Sequence, residues 1–356
     1  MTCPNAKVDT QVALLGRRGF LAVAIFVAVL FSELRGIHGA HSEHRLSTLS
    51  THLDELSAKG DYAAAIPVAL VLVSETESKF GSVHTNTATT LERLGELHEK
   101  LGAYTNAQPA YERCWKIRVA IFGPDNVETA ACMHKLARIY LSLGDLPKAQ
   151  QLNEACLAVR EKLLGPDHLD TAKSANNLGL VYQRLGDDAK AEIFYRRSLT
   201  IADKRLGVEH PDTLMFVGNL ALLYQRTRNY TKAIPLAARN LQTREKVSGS
   251  EHLDTAQAMI LLGQLYFGIG DFAQAGPLYE RSLRIREKAL GEAHPDTIWL
   301  LTQTGNLYLG MREYARAEQA FGRSLRIREK LLPPRASRHR GFVVGSGGCP
   351  SHGREF

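Results

Sequence analysis

The chain has 356 residues with 44% hydrophobic content and a formal net charge of +7, an ordinary composition for a folded protein and not for a disordered one. The basic excess sits at the ends: residues 333–356 carry a net +3 and residues 1–40 a net +2, which leaves +2 for the body. A nucleic-acid groove needs basic residues concentrated along one surface, so the body is expected to bind no nucleic acid.

In chain order, the first segment is 1–40, which reads as a signal peptide or an N-terminal membrane anchor. Residues 19–31, GFLAVAIFVAVLF, form an apolar run straight after Arg17-Arg18. The run is short of the roughly 20 residues that a spanning helix needs. A charged front, a short apolar centre and small residues near Gly36–Ala40 fit an export signal, and Arg17-Arg18-Gly19-Phe20-Leu21 resembles the twin-arginine class. Sec-type export and retention as an uncleaved anchor both remain open. The expected location is therefore extracytoplasmic, periplasmic or secreted, or membrane-anchored through residues 19–31. His38, His41, His44 and His52 follow without cysteine or carboxylate at ligand spacing and read as a solvated linker.

From Phe80 onward one phrase recurs: FGSVHTNT at Phe80–Thr87, FGPDNVET at Phe122–Thr129, LGPDHLDT at Leu164–Thr171, LGVEHPDT at Leu206–Thr213, SGSEHLDT at Ser248–Thr255 and LGEAHPDT at Leu290–Thr297. The glycines Gly81, Gly123, Gly165, Gly207, Gly249 and Gly291 are 42 residues apart every time. A fixed period of this size marks a stacked repeat array, in which each unit packs only on its neighbours. The body, 41–332, divides into repeats of about 44–80, 81–122, 123–164, 165–206, 207–248, 249–290 and 291–332.

Each repeat predicts two helices. In the fourth, helix A runs over about 171–185 with Ala172, Ala175, Leu178, Gly179 and Tyr182 on one stripe. Gly186-Asp187 breaks it, and helix B runs over about 189–206. The connector glycine is expected to end helix B in a left-handed cap, and the Asp-Thr pair to cap the next helix A. Pro67, Pro109, Pro235 and Pro277 share one position near the start of helix B, where a missing N–H costs least. The first helix A is expected to be short and polar, as suits a cap. Residues 333–356 lose the period and read as a disordered basic tail.

Several positions hold through the array. Ala65, Ala107, Ala149, Ala191, Ala233, Ala275 and Ala317 are in phase, as are Tyr140, Tyr182, Tyr224, Tyr266 and Tyr308. Helix A carries Leu-Gly or Leu-Ala, then Tyr, and helix B carries the alanine and then an aromatic such as Tyr195, Tyr279 or Phe321. This pattern resembles the tetratricopeptide repeat. The longer unit, with RIREK at Arg284–Lys288 and Arg326–Lys330, resembles the kinesin light chain subfamily. The resemblance spans about residues 44–332 and implies an all-α, right-handed superhelical solenoid of about seven antiparallel helix pairs. No heptad coiled coil precedes the array, so microtubule transport is not implied.

No Gly-rich phosphate loop, HExxH, GxSxG or paired-cysteine motif is present, so no enzyme, cofactor or metal is expected. The cysteines are Cys3, Cys114, Cys132, Cys156 and Cys349; Cys114 and Cys156 occupy one site in successive repeats and read as small packing residues. The connector histidines His84, His168, His210, His252 and His294 read as hydrogen-bonding elements of the turn. No repeat carries the Lys and Asn set of a carboxylate clamp.

Binding in such arrays uses helix A positions that do not pack inward. Three rows fit: Arg93, Lys135, Asn177, Asn219, Leu261 and Gln303; then Glu96, Arg138, Leu180, Leu222, Gln264 and Asn306; then Glu99, Leu141, Gln183, Gln225, Phe267 and Leu309. The resemblance implies that Asn177 and Asn219 bond the backbone of a peptide, since an amide both donates and accepts. Arg93, Lys135 and Arg138 would favour acidic residues at one end, with Gln183, Gln225, Gln264 and Asn306 completing the groove. The function expected is a non-enzymatic scaffold for a protein or peptide ligand. The alternative is a structural subunit of a bacterial envelope assembly that acts through convex or terminal surfaces.

Overall fold

The computed structural model describes residues 41–331. The 19–31 segment, His38, Cys3 and the tail from 333 on lie outside the described residues. Among those described, fourteen helices form seven antiparallel pairs and there is no strand. The chain divides between Arg205 and Leu206 into two compact units. The first holds α1 (His41–Ala58), α2 (Tyr62–Phe80), α3 (Thr85–Lys100), α4 (Tyr104–Phe122), α5 (Val127–Leu143), α6 (Leu146–Leu164), α7 (Leu169–Leu185) and α8 (Asp188–Leu206). The second holds α9 (Pro211–Arg226), α10 (Tyr230–Ser248), α11 (Leu253–Gly268), α12 (Phe272–Leu290), α13 (Pro295–Gly310) and α14 (Tyr314–Leu331). Odd-numbered helices are the A helices and even-numbered ones the B helices.

The connector works differently from the expectation. Gly165 has φ 93° and ψ 162°, and Gly81, Gly123, Gly249 and Gly291 match it closely. That is an extended left-handed conformation reserved for glycine, not the compact left-handed cap. The compact form closes the A–B turn instead: Gly186 has φ 83° and ψ 5°. In two repeats an arginine takes that place, with Arg228 at φ 55° and Arg312 at φ 62°.

The Asp-Thr pair does not supply the cap of helix A. His84, His168, His210, His252 and His294 are the N-cap residues, and each Nδ1 accepts the backbone N–H two residues on. Asn126 does the same through its side-chain oxygen in the third repeat. The threonine acts in the opposite direction: Thr171 Oγ1 donates to the Gly165 carbonyl at 2.9 Å, and Thr87, Thr129 and Thr255 repeat that bond. The histidine role read from the sequence is thus the observed one. Helix B is capped at Asp61, Asp145, Asp187 and Asp271, whose carboxylates accept from the third residue on.

Two further expectations change. Pro67, Pro109, Pro235 and Pro277 lie inside helix B, past the first turn, so each removes one intrahelical hydrogen bond. The first helix A is 18 residues long, because Leu46, Leu49, Leu53 and Leu56 give it an apolar stripe that packs on the core of the first two repeats. His41, His44 and His52 belong to this helix and not to a linker.

Within a pair, helices meet at small residues. The in-phase alanines of helix B are buried completely or almost so. Gly179 faces the ring of fully buried Tyr195; a Cβ there would lie 2.6 Å from it. Gly95, Gly263 and Gly305 stand in the same relation to Tyr111, Tyr279 and Phe321. Where the sequence has Ala137 or Ala221 in this phase, the ring position holds Asn153 or Ala237. Glycine and ring are therefore one packing solution, and alanine with a smaller partner is the other. Gly179→Ala is expected to cost about 1–3 kcal/mol by overpacking, read as a lower urea midpoint, and a second change of Tyr195 to Ala should remove part of that clash.

Candidate functional site on the helix A faces

The site is built from the offset between neighbouring A helices. A side chain on one A helix meets residues of the preceding A helix that lie 39 or 43 positions earlier in the chain. These separations bracket the 42-residue repeat, and the same diagonal recurs within each unit. In the first unit the diagonals are filled by charge. Arg93 pairs with Asp54 and donates to Ser50 Oγ at 2.9 Å. Lys135 reaches Glu92 at 2.5 Å and also Glu96. Arg138 meets Glu99 at 2.7 Å, and Glu99 accepts the Tyr111 hydroxyl at 3.2 Å.

These pairings change the expected role of the basic residues. Arg93, Lys135 and Arg138 are each neutralised by an acidic residue one repeat earlier, so the face does not present a net positive end to a ligand. Burial alone would lower the Lys135 ammonium, yet Glu92 and Glu96 hold it above its ordinary range. Half-exposed pairs of this kind stabilise by no more than about 1 kcal/mol each. Their main effect is to set the position of one A helix on the next.

The amide residues separate into two groups. Asn177 donates from Nδ2 to His134 Nδ1 at 3.2 Å, and the Gln183 Oε1 accepts the Tyr195 hydroxyl at 2.7 Å. Both are tied into the first unit. In the second unit Gln225 Nε2 donates to Gln264 Oε1 at 3.1 Å along the same diagonal. Asn219 and Asn306 are half-buried on α9 and α13. Sequence reasoning missed one row of this face. Met215 and Trp299 stand four residues before Asn219 and Gln303, one helical turn away, and are 44% and 39% exposed. The helical period itself was the signal that would have placed them.

Other polar side chains bind the repeats together from behind. Arg118 on α4 donates to the Glu128 carbonyl of α5 at 2.9 Å and to Glu92 of α3 at 2.5 Å. Arg286, the second arginine of the first RIREK, similarly joins the Asp296 carbonyl of α13 at 3.2 Å and Gln257 of α11 at 2.5 Å. Each joins three helices, and neither lies on a ligand surface. The helix A tyrosines form a further brace. Tyr140, Tyr182 and Tyr308 donate to Glu112, Glu154 and Glu280 on the preceding B helix at 2.5, 2.8 and 2.6 Å, while Lys148, Lys190 and Arg316 cover the rings. Burial and the facing carboxylate push the Tyr140 and Tyr308 phenols up to about 12.

Cys114 and Cys156 are buried, free thiols at matching places, and Cys132 is a third. Cys156 Sγ lies 3.1 Å from the Ala130 carbonyl. Among the described residues no group of three His, Cys, Asp or Glu is placed to hold a metal.

The tetratricopeptide repeat model matches residues 86–162, 140–204, 212–288 and 261–330. The chain belongs to the tetratricopeptide repeat family. No curated protein matches it. Among solved structures, the array is similar to BtubC (BKLC) from P. vanneervenii, with a TM-score of 0.55 and 22% identity over 72% of this chain and 98% of that one. It is also similar to the nearly identical TPR-like repeats assigned to a kinesin light chain of Podosopora anserina, with a TM-score of 0.52 and 25% identity over 58% and 98%. A third likeness is a Rap protein in complex with Competence and Sporulation Factor, with a TM-score of 0.53 and 16% identity over 86% and 80%. The 42-residue unit is thus of the kinesin light chain-like form, and the fold is that of the family.

His134 gives this tetratricopeptide array a measurable pH response. Burial, followed by the charges of Arg160, Arg138, Lys173 and Lys135, holds its imidazole at about 3. Below about 6.5 the unfolded chain binds a proton that the folded one refuses, so stability is complete above that pH and falls as the pH drops. Between pH 6.5 and 5.5 the native chain should lose roughly 1 kcal/mol more than a His134→Gln variant, compared by urea titration at both pH values.

Proposed function

We propose that the chain is a non-enzymatic interaction scaffold that holds a peptide or protein segment against its helix A faces. The observation that carries this reading is the diagonal register. It aligns amides and apolar side chains of successive A helices, Gln225 and Gln264 among them, on a surface where they do not build the core. Such amides suit an extended peptide backbone. A Rap protein of similar fold is solved in complex with Competence and Sporulation Factor, which supports a binding role for the fold. Peptides selected from a random library on the full chain should bind an Asn177→Ala/Asn219→Ala variant about tenfold more weakly, the equivalent of roughly one hydrogen bond. Unchanged affinity, with an unchanged circular dichroism spectrum, would remove these residues from the site.

We further propose an extracytoplasmic or membrane-anchored location, on the strength of the apolar run at residues 19–31. None of the described helices is long and apolar enough to cross a membrane. N-terminal sequencing of the protein from fractionated cells separates the outcomes. A start near His41 in a soluble extracytoplasmic fraction means cleavage, and an intact Met1 in membranes means an anchor; an intact Met1 in the cytosol would overturn both.

A further inference from the structure

The A helices of the second unit differ from those of the first in one respect. Between Thr213 and Gln225, Thr255 and Gly268, and Thr297 and Gly310, the sequence has no Asp, Glu, Lys, Arg or His. The corresponding stretches of the first unit carry Glu92, Arg93, Glu96, His134, Lys135 and Arg138. There the diagonals between α1 and α3 and between α3 and α5 are ion pairs. In the second unit the same rows expose apolar groups: Leu222 is 44% exposed and Leu309 46%, beside Met215 and Trp299. These side chains contribute little packing to their own fold, and they leave apolar surface on both flanking A helices of a face without formal charge.

The three helices form one continuous block. Gln225 bonds Gln264 between α9 and α11, and Ile260 and Phe267 of α11 share a core cluster with Leu300 and Leu307 of α13. The Gln225–Gln264 bond uses one donor and one acceptor. It leaves the Gln225 carbonyl and the second N–H of Gln264 for a ligand's backbone. Formal charge on these helices is confined to their ends, at Arg226 on the last residue of α9 and at Asp212, Asp254 and Asp296 in the first turns, of which Asp254 and Asp296 are engaged by Arg244 and Arg286.

We propose that this face of the second unit selects an uncharged, apolar peptide segment in extended form. The inference rests on the scaffold reading above and names the chemistry of its ligand. Charge matching is the reason. An acidic or basic ligand residue set down between Leu222 and Leu309 would lose water without meeting a counter-charge. Aliphatic or aromatic residues along the segment would cover Met215 and Leu222 on α9 and Trp299 and Leu309 on α13, and the amides would take its backbone.

The test is a selection of end-blocked ten-residue peptides from a random library on the full chain, followed by synthesis of the recovered sequences. They should be depleted in Asp, Glu, Lys and Arg. Replacing a central residue by Glu or by Lys should weaken binding at least tenfold, and Leu222→Glu or Leu309→Glu in the protein should do the same. Both leucines are half exposed, so these variants keep the fold. Trp299→Gln offers a second, uncharged variant, and in the native chain Trp299 emission should move to shorter wavelength on binding. Charged peptides whose binding depends on Leu222 and Leu309 would overturn this inference and leave the scaffold reading standing. Peptides indifferent to every helix A variant, or none at all, would overturn both. If deletion of residues 333–356 raises peptide affinity tenfold or more, the chain's own Gly341–Gly345 segment is the occupant and a separate partner is not. Concentration-dependent self-association abolished by Leu309→Glu would assign the face to a second copy instead.

Discussion

The bend between one helix pair and the next requires a backbone conformation that only glycine adopts freely. At Gly165 the chain leaves α6 with positive φ and extended ψ, a region closed to residues with a side chain. The direction of that bend is then held by two short bonds. The Thr171 hydroxyl returns to the Gly165 carbonyl, and the His168 imidazole accepts the Asp170 N–H. A change in the number of residues between glycine and threonine would break the first of them. Where the threonine bond forms it holds the connector at one length, which favours the constant 42-residue repeat.

A constant repeat length has a consequence for surfaces. Within each unit the A helices linked by such bonds meet with the same offset, so a residue finds its partner on a fixed diagonal. Arg93 with Asp54, Lys135 with Glu96, Arg138 with Glu99 and Gln225 with Gln264 all occupy it. The core behind tolerates this variety because it is settled elsewhere. The alanine crossings recur in every repeat, and the glycine-to-ring contacts recur both where the A face is charged, at Gly95, and where it is not, at Gly263 and Gly305. Repeat arrays sum nearest-neighbour terms, so one face can change its chemistry without a change of fold.

The period and the helix pairs were legible in the sequence, because each depends on spacing alone, whereas two positions of the expected rows, Leu141 and Leu261, are buried in the core. The cap chemistry was not legible. Asp and Thr are the better-known cap residues, yet in LGPDHLDT the histidine stands one place before the helix, and only backbone angles reveal that. The same holds for Gly165 and Gly186, which look alike in sequence and adopt different conformations. The basic residues were misjudged for another reason. Arg93, Lys135 and Arg138 stand on the correct rows, but their neutralising partners are 39 residues away, and no local pattern shows that Asp54, Glu96 and Glu99 face them. Spacing identifies which positions share a surface, and it does not identify which of them are already satisfied there.

That distinction decides where a ligand can gain most. A face made of matched ion pairs is complete without a partner, since displacing Glu92 from Lys135 or Glu99 from Arg138 would strand a charge. A face of amides and apolar side chains is not complete in that sense. Water bonds the amides well but gains nothing from Leu222, Trp299 or Leu309, and covering them is favourable in proportion to the area removed from solvent. The two units carry one fold and one register. They differ in the chemistry on the diagonals, mostly ion pairs in the first unit and amides with exposed apolar side chains in the second, and the proposed ligand face is the uncharged one.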